Sequence, residues 1–151
     1  MNYLHTLIID DSHCSCILLQ KLLAKLGWTS DIATTPEEAL RLVDIIEYDL
    51  VMSDYNLSNK INGTQLCKQI KAKHDIDCAL VSSDEIAAKA HSGFFILFIP
   101  KPFNFDDLKN LQVVLSLKNT KKEIAKLDSL ITKDLKAIFS KTDIVRGVEA
   151  Q

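Results

Sequence analysis

Residues 4–12 read Leu-His-Thr-Leu-Ile-Ile-Asp-Asp-Ser, a strand-length apolar run that stops on two aspartates. An unbroken apolar run, rather than an alternating one, is what a strand covered on both faces requires. The cadence returns along the chain. Residues 49–53, Asp-Leu-Val-Met-Ser, stop on Asp54, and residues 78–82, Cys-Ala-Leu-Val-Ser, stop on Ser83. Residues 94–99, Phe-Phe-Ile-Leu-Phe-Ile, stop on Pro100-Lys101-Pro102, and a shorter strand is expected at 28–33.

Helical spacing fills the gaps. Ile17, Leu18, Leu22, Leu23 and Leu26 give a helix over 13–26 that Gly27 closes. Thr35-Pro36-Glu37-Glu38 announces a helix running to about Glu47, with Thr35 as cap, Pro36 at the first position and Glu38 reaching back. Gly63 opens a helix to about Lys73, and a short one is expected over 85–91. Asn104 caps a fifth, with Asp106 and Asp107 in its first turn where they favour the helix dipole. Five strands alternating with five helices define an α/β domain with a five-stranded parallel sheet and helices on both faces.

The chain has 151 residues, 47% of them apolar and 25% charged, enough for one domain with a real core. The net charge of −2 is divided unevenly. Residues 1–117 hold 10 basic and 15 acidic residues, and residues 118–151 hold 8 basic and 5 acidic. The small net charge argues against a polyanion-binding surface over the whole chain, and although the basic tail could contact nucleic acid, its apolar seam favours protein contact. No apolar run reaches the roughly 18 residues of a membrane span. The N-terminus lacks the basic start of a secretory signal, so a cytoplasmic location is expected. Cys14, Cys16, Cys67 and Cys78 show no metal-type spacing and read as reduced packing thiols.

In an open parallel sheet, function collects beyond the carboxyl ends of the strands. Those ends carry Asp10 and Asp11, Asp54, Ser82 and Ser83, and Lys101. Two carboxylates at 4 Å repel by about 4 kcal/mol at an effective dielectric near 20. Three of them call for a cation, and all-oxygen ligands without histidine suit Mg²⁺. Lys101 adds a point positive charge and Ser82 a hydroxyl donor. A free carboxylate, Mg²⁺, a lysine and a hydroxyl form a site for phosphoryl transfer onto aspartate.

On these residues, Asp10-Asp11, Asp54, Ser82 and Lys101-Pro102-Phe103, the chain resembles the receiver domain of two-component response regulators (the CheY-like family) over roughly residues 3–118. The resemblance implies a doubly wound, flavodoxin-like sheet of order 2-1-3-4-5. It implies Asp54 as phosphoacceptor and metal ligand, Asp11 as direct Mg²⁺ ligand, Asp10 acting through water, and the backbone carbonyl of Asn56 on the metal. Lys101 would pair with Asp54 and then with the phosphoryl group, Ser82 would swing toward that group, and Phe98 would be a rotating aromatic switch. The Lys101–Pro102 bond would be cis. The donor would be a phosphohistidine of a sensor histidine kinase or a histidine phosphotransfer protein, with the chain no enzyme beyond its own phosphorylation and dephosphorylation. The loop after Asp54 is slightly longer than the family pattern and carries Ser58 where proline is common. Ser83 replaces a common alanine, and the stretch from Ser82 to Lys101 is short.

Two other readings compete. A receiver-like module acting without phosphorylation, by protein interaction or dimerisation, would not need all five polar groups. A haloacid-dehalogenase-type hydrolase would place two aspartates one residue apart after its first strand, whereas Asp10 and Asp11 are adjacent. Residues 1–119 are thus expected to form the receiver. Residues 120–151 are expected to form a basic amphipathic extension with a frayed end, too short for a second globular domain. Its seam of Ile124, Leu127, Ile131, Leu135 and Ile138 would cap the domain, dimerise or dock on a partner protein.

Overall fold

A computed structural model of the chain describes residues 3–57, 61–84 and 94–149, with side chains to residue 141. The short helix expected over 85–91, and Ser58, lie outside the described residues. The elements run β1 (His5–Ile9), α1 (His13–Lys25), β2 (Thr29–Ala33), α2 (Pro36–Ile45), β3 (Leu50–Ser53), α3 (Gly63–His74), β4 (Asp77–Ser82), β5 (Leu97–Pro100) and α4 (Phe105–Glu149). The sheet is parallel throughout, in the order β2-β1-β3-β4-β5. This is the doubly wound arrangement expected from the sequence.

Register decides what faces what. Ile9 lies opposite Ala33 and Ser53, Ser53 opposite Leu80, and Leu80 opposite Phe98. These residues share one face. There Leu7, Ile9 and Val51 pack with Ala39 and Val43 of α2 and Leu66 and Ile70 of α3 in one buried cluster. On the other face Ile8 and Met52 meet Leu19 of α1. The three central strands β1, β3 and β4 are buried on both faces almost throughout, which explains why they read as apolar runs.

The helix boundaries follow their capping chemistry. Ser12 accepts from the backbone N–H of Ser15 at 3.3 Å, and Gly27, at φ +80°, turns the chain out of α1. Thr35 accepts from Glu38 N–H at 3.2 Å. The Glu38 carboxylate reaches one residue beyond the cap, to Thr34 N–H at 3.1 Å. Asn62 and Gln65 form a reciprocal capping box at the start of α3, which the sequence reading had opened simply on Gly63. Asn104 and Asp107 make the same exchange at α4.

Two expectations are corrected. The last strand begins at Leu97 rather than Phe94. Phe94 and Phe95 stand edge to face, their centroids 5.1 Å apart, and pack against the core cluster shared with α2 and α3. A short apolar run does not distinguish a buried strand from a plug over a core, and here one run supplies both. The helix at Asn104 and the tail helix are one continuous helix of 45 residues. No glycine or proline falls between Phe105 and Arg146, so nothing in the backbone chemistry stops it.

Internal contacts divide the chain into two units, Met1–Gln112 and Val113–Gln151. The first holds the sheet. In the second, every residue from Asn119 to Lys141 is exposed. No helix among the described residues is long and apolar enough to cross a membrane. All four cysteines are free; Cys16, Cys67 and Cys78 are buried and Cys14 is exposed.

Candidate functional site

The register of β1 and β3 sets Ile9 beside Ser53, so the next residues of the two strands, Asp10 and Asp54, leave the sheet side by side. Asp54 N–H still donates to Ile9 C=O at 2.9 Å, and Asp10 N–H to Ala33 C=O at 3.2 Å. The ladder therefore fixes both backbones one residue past the strands. Asp11 follows on the exposed side. One carboxylate oxygen from each of Asp10, Asp11 and Asp54 lies within 4.8 Å of the others.

Lys101 reaches this group from the far side of the sheet. Its N–H donates to Ser82 C=O at 3.0 Å, carrying the β4–β5 ladder past the strand end, and the following bond to Pro102 is cis. The ammonium donates to Asp10 Oδ2 at 2.8 Å and to Asp54 Oδ2 at 3.0 Å. The family resemblance implied a pairing with Asp54; the structure adds Asp10, its nearer partner. Burial works to lower the pKa of Lys101, but the hydrogen bonds to Asp10 and Asp54 outweigh it and hold the group above its ordinary value.

The remaining polar contacts orient these groups. Asp10 Oδ1 accepts from Ser12 N–H at 2.9 Å, which leaves Oδ2 to Lys101. Asp54 Oδ1 lies 3.4 Å from Asn56 N–H, a long contact from an exposed residue. Ser82 is fully buried, and its hydroxyl accepts from Asp84 N–H at 3.2 Å. Phe98 is half-buried, in register with Leu80 and on the same face as Ser53. The structure thus gathers Asp10, Asp11, Asp54 and Lys101 into one cluster. It places Ser82 at the end of the neighbouring strand with its hydroxyl turned to the Asp84 turn.

Two supporting residues escaped the sequence reading. The carbonyl of Asp54 accepts from Ser53 Oγ at 2.8 Å and is roofed by Gly63, whose N–H donates to Tyr55 C=O at 2.7 Å. A Cβ on Gly63 would collide with the Asp54 carbonyl oxygen. The second is Cys16, whose thiol donates to Asp10 C=O at 3.4 Å. Burial, with the Asp10 charge second, pushes that thiol up to about 11. An Asn-Gly pair after a polar loop was the one sequence signal for the first; nothing marked the second.

The donor set fits a hard divalent cation: three carboxylates within reach of one another, with no imidazole and no thiolate among them. A sheet of this order with carboxylates and a lysine at its carboxyl edge defines a flavodoxin-like, CheY-like α/β protein. The sequence profile of the response regulator receiver domain matches residues 6–112, and the chain belongs to that family. The transcriptional regulatory protein ZraR of Escherichia coli K12 is 31% identical over 107 residues, which are 68% of this chain and 24% of that protein. The chain therefore spans about a quarter of the length of these curated relatives. A probable transcriptional regulator, ycf27 of Cyanidium caldarium, is 26% identical over 97% of this chain and 64% of its own length. Among solved structures, the response regulator TrrA of Thermotoga maritima, in complex with Mg²⁺ and BeF, is 28% identical with a TM-score of 0.65. That match covers 73% of this chain and 97% of TrrA.

Proposed function

We propose that this chain is a working phosphoacceptor in a two-component relay, with Asp54 taking a phosphoryl group from a phosphohistidine of a sensor kinase or phosphotransfer protein. The observation that carries the reading is the bridge of Lys101 to Asp54 and Asp10 beside the exposed Asp11. In the transfer, a carboxylate oxygen of Asp54 bonds to phosphorus as the phosphorus–nitrogen bond of the donor breaks. The imidazole nitrogen keeps that electron pair and takes up a proton. Catalysis of such a step is positioning plus electrostatics.

Asp54 is held in place by its N–H bond to Ile9 and by the fixing of its carbonyl by Ser53. Lys101 offsets carboxylate charge before transfer and phosphoryl charge afterwards. Asp11, Asp54, Asp10 through water, and the Asn56 carbonyl would hold Mg²⁺, which would supply positive charge to the phosphoryl oxygens. Ser82 would leave Asp84 N–H to donate to a phosphoryl oxygen, and Phe98 would follow it on the same face. The signal is a population shift between two conformations, biased by the new charge.

Intact mass after treatment with acetyl phosphate and Mg²⁺ tests the reading. Wild type is expected to gain one phosphoryl group, and the gain is expected to vanish in Asp54→Ala and with chelator. A gain that survives Asp54→Ala moves the acceptor elsewhere. No gain from acetyl phosphate or from phosphohistidine donors leaves the chain an interaction module that works without phosphorylation.

A further inference from the structure

We propose that the exposed stripe of α4 is the seam of a parallel, two-stranded coiled coil with a second copy of this chain. The inference stands apart from the phosphoryl chemistry and rests on the second contact unit alone.

From Asn119 to Lys141 the helix is exposed on every side, yet it is not polar on every side. Ile124, Leu127, Ile131 and Ile138 are each between 52% and 58% exposed, and Leu135 is 47% exposed. A helix in water takes most of its stability from burying such a stripe, so a bare one is incomplete. The spacing says what completes it. Ile124, Ile131 and Ile138 recur every seven residues, with Leu127 and Leu135 between them. Four steps cover fourteen residues, the mean of 3.5 that keeps a seam facing a partner helix. β-branched isoleucine at the recurring position with Leu127 at the second is the pattern of two parallel strands; one heptad on, that second position is Asp134, and Leu135 stands beside it on the flank.

The flanks agree with that choice. In a parallel pair, the residue just before each isoleucine faces the residue five further along the other helix. Leu130, 51% exposed and off the main seam, would then meet Leu135 of the second copy. Lys122, Lys126, Lys133 and Lys136 lie on the opposite face of the helix, out of the way. The stripe begins at Val113 and ends at Ile138, both exposed. A seam of that length is about 40 Å long, enough for the roughly 800 Å² per partner of a standard stable interface. Two acidic features oppose association. Glu123 would face Asp128 of the second copy, and Asp134 occupies a seam position, seven residues after Leu127.

Sedimentation equilibrium of the full chain over a concentration series tests this. Wild type is expected to show a monomer–dimer equilibrium. Ile131→Asp should raise the dimer dissociation constant by about 100-fold or more. Glu123→Lys replaces a repulsion with an attraction at both copies of the pair and should lower it about 5-fold. In a Cys14→Ser background, Leu127→Cys should form an interchain disulfide under mild oxidation, because parallel strands in register set the two positions together. A monomer at every concentration overturns the proposal, as does a dimer indifferent to both substitutions. A trimer overturns the two-stranded form, and a dimer that fails to cross-link at 127 overturns the parallel one. A chain that stays monomeric but floats with anionic phospholipid vesicles gives the stripe to a lipid surface instead.

Discussion

Lys101→Met is expected to slow phosphoryl uptake from acetyl phosphate by about 100-fold or more, the scale seen when one preorganised charge donor is removed from a transfer site. It is also expected to destabilise the fold. The side chains of Asp10 and Asp54 are only 9% and 13% exposed, and Lys101 is their shared cation. Removing one partner of a buried pair leaves uncompensated charge, and a loss of about 3 kcal/mol is expected in denaturant unfolding at neutral pH. Added Mg²⁺ should recover more of that stability in the variant than in wild type, since the carboxylates regain a cation. The pH dependence has a definite sign. The folded-state pKa of Lys101 is raised above 10.5, so its contribution is fully present below that pH. It is lost as the pH rises through the elevated folded value. The stability gap between wild type and Lys101→Met should therefore be flat near neutrality and close in strong alkali. Unchanged uptake in the variant would remove Lys101 from the transfer step.

Gly63→Ala carries the second large effect. The added Cβ collides with Asp54 O and lies 2.8 Å from the Asp54 carbonyl carbon and 2.9 Å from Ser53 Oγ. Two of these atoms are backbone, so no side-chain rotation relieves the contact. The Asp54 backbone is tied to Ile9, and Gly63 sits beside the Asn62–Gln65 capping box, so neither segment moves freely. Overpacking of this kind costs about 3 kcal/mol. Part of the strain would move Asp54 itself, so slower phosphorylation should accompany the lower unfolding midpoint. A variant as stable as wild type, with normal uptake, would show that the α3 start can retreat at no cost.

The parts of the site that were legible in the sequence are those the sheet register dictates. Asp10, Asp54 and Lys101 each follow an apolar run, and parallel strands bring their carboxyl ends to one edge whatever the loops do. The pairing of Lys101 with Asp10 was not legible. It spans 91 residues and depends on where the ammonium lands once Pro102 has turned the chain. Gly63 was visible as a helix start, but its close approach to Asp54 O belongs to the geometry of the loop between them. Phe94 and Phe95 were misread because apolarity reports burial, not hydrogen bonding: Ile96 N–H reaches Cys78 C=O at 2.9 Å, and the two phenylalanines before it plug the core. The continuity of α4 was available in the absence of any glycine or proline between Phe105 and Arg146. Expecting a separate fifth helix and tail divided what the backbone leaves whole.

The cysteine distribution has a practical consequence. Cys16 is buried with its thiol pushed up to about 11. Cys67 shares a hydrogen bond with Cys78, and that bond and burial together raise its pKa well above the ordinary value. Cys78 is buried with it. Cys14 alone is open to solvent, in the first turn of α1 and three residues after Asp11. The native chain therefore offers one thiol to a maleimide dye without any engineering. A fluorophore attached there would stand at the rim of the acidic cluster and report changes at Asp54 as changes in its emission.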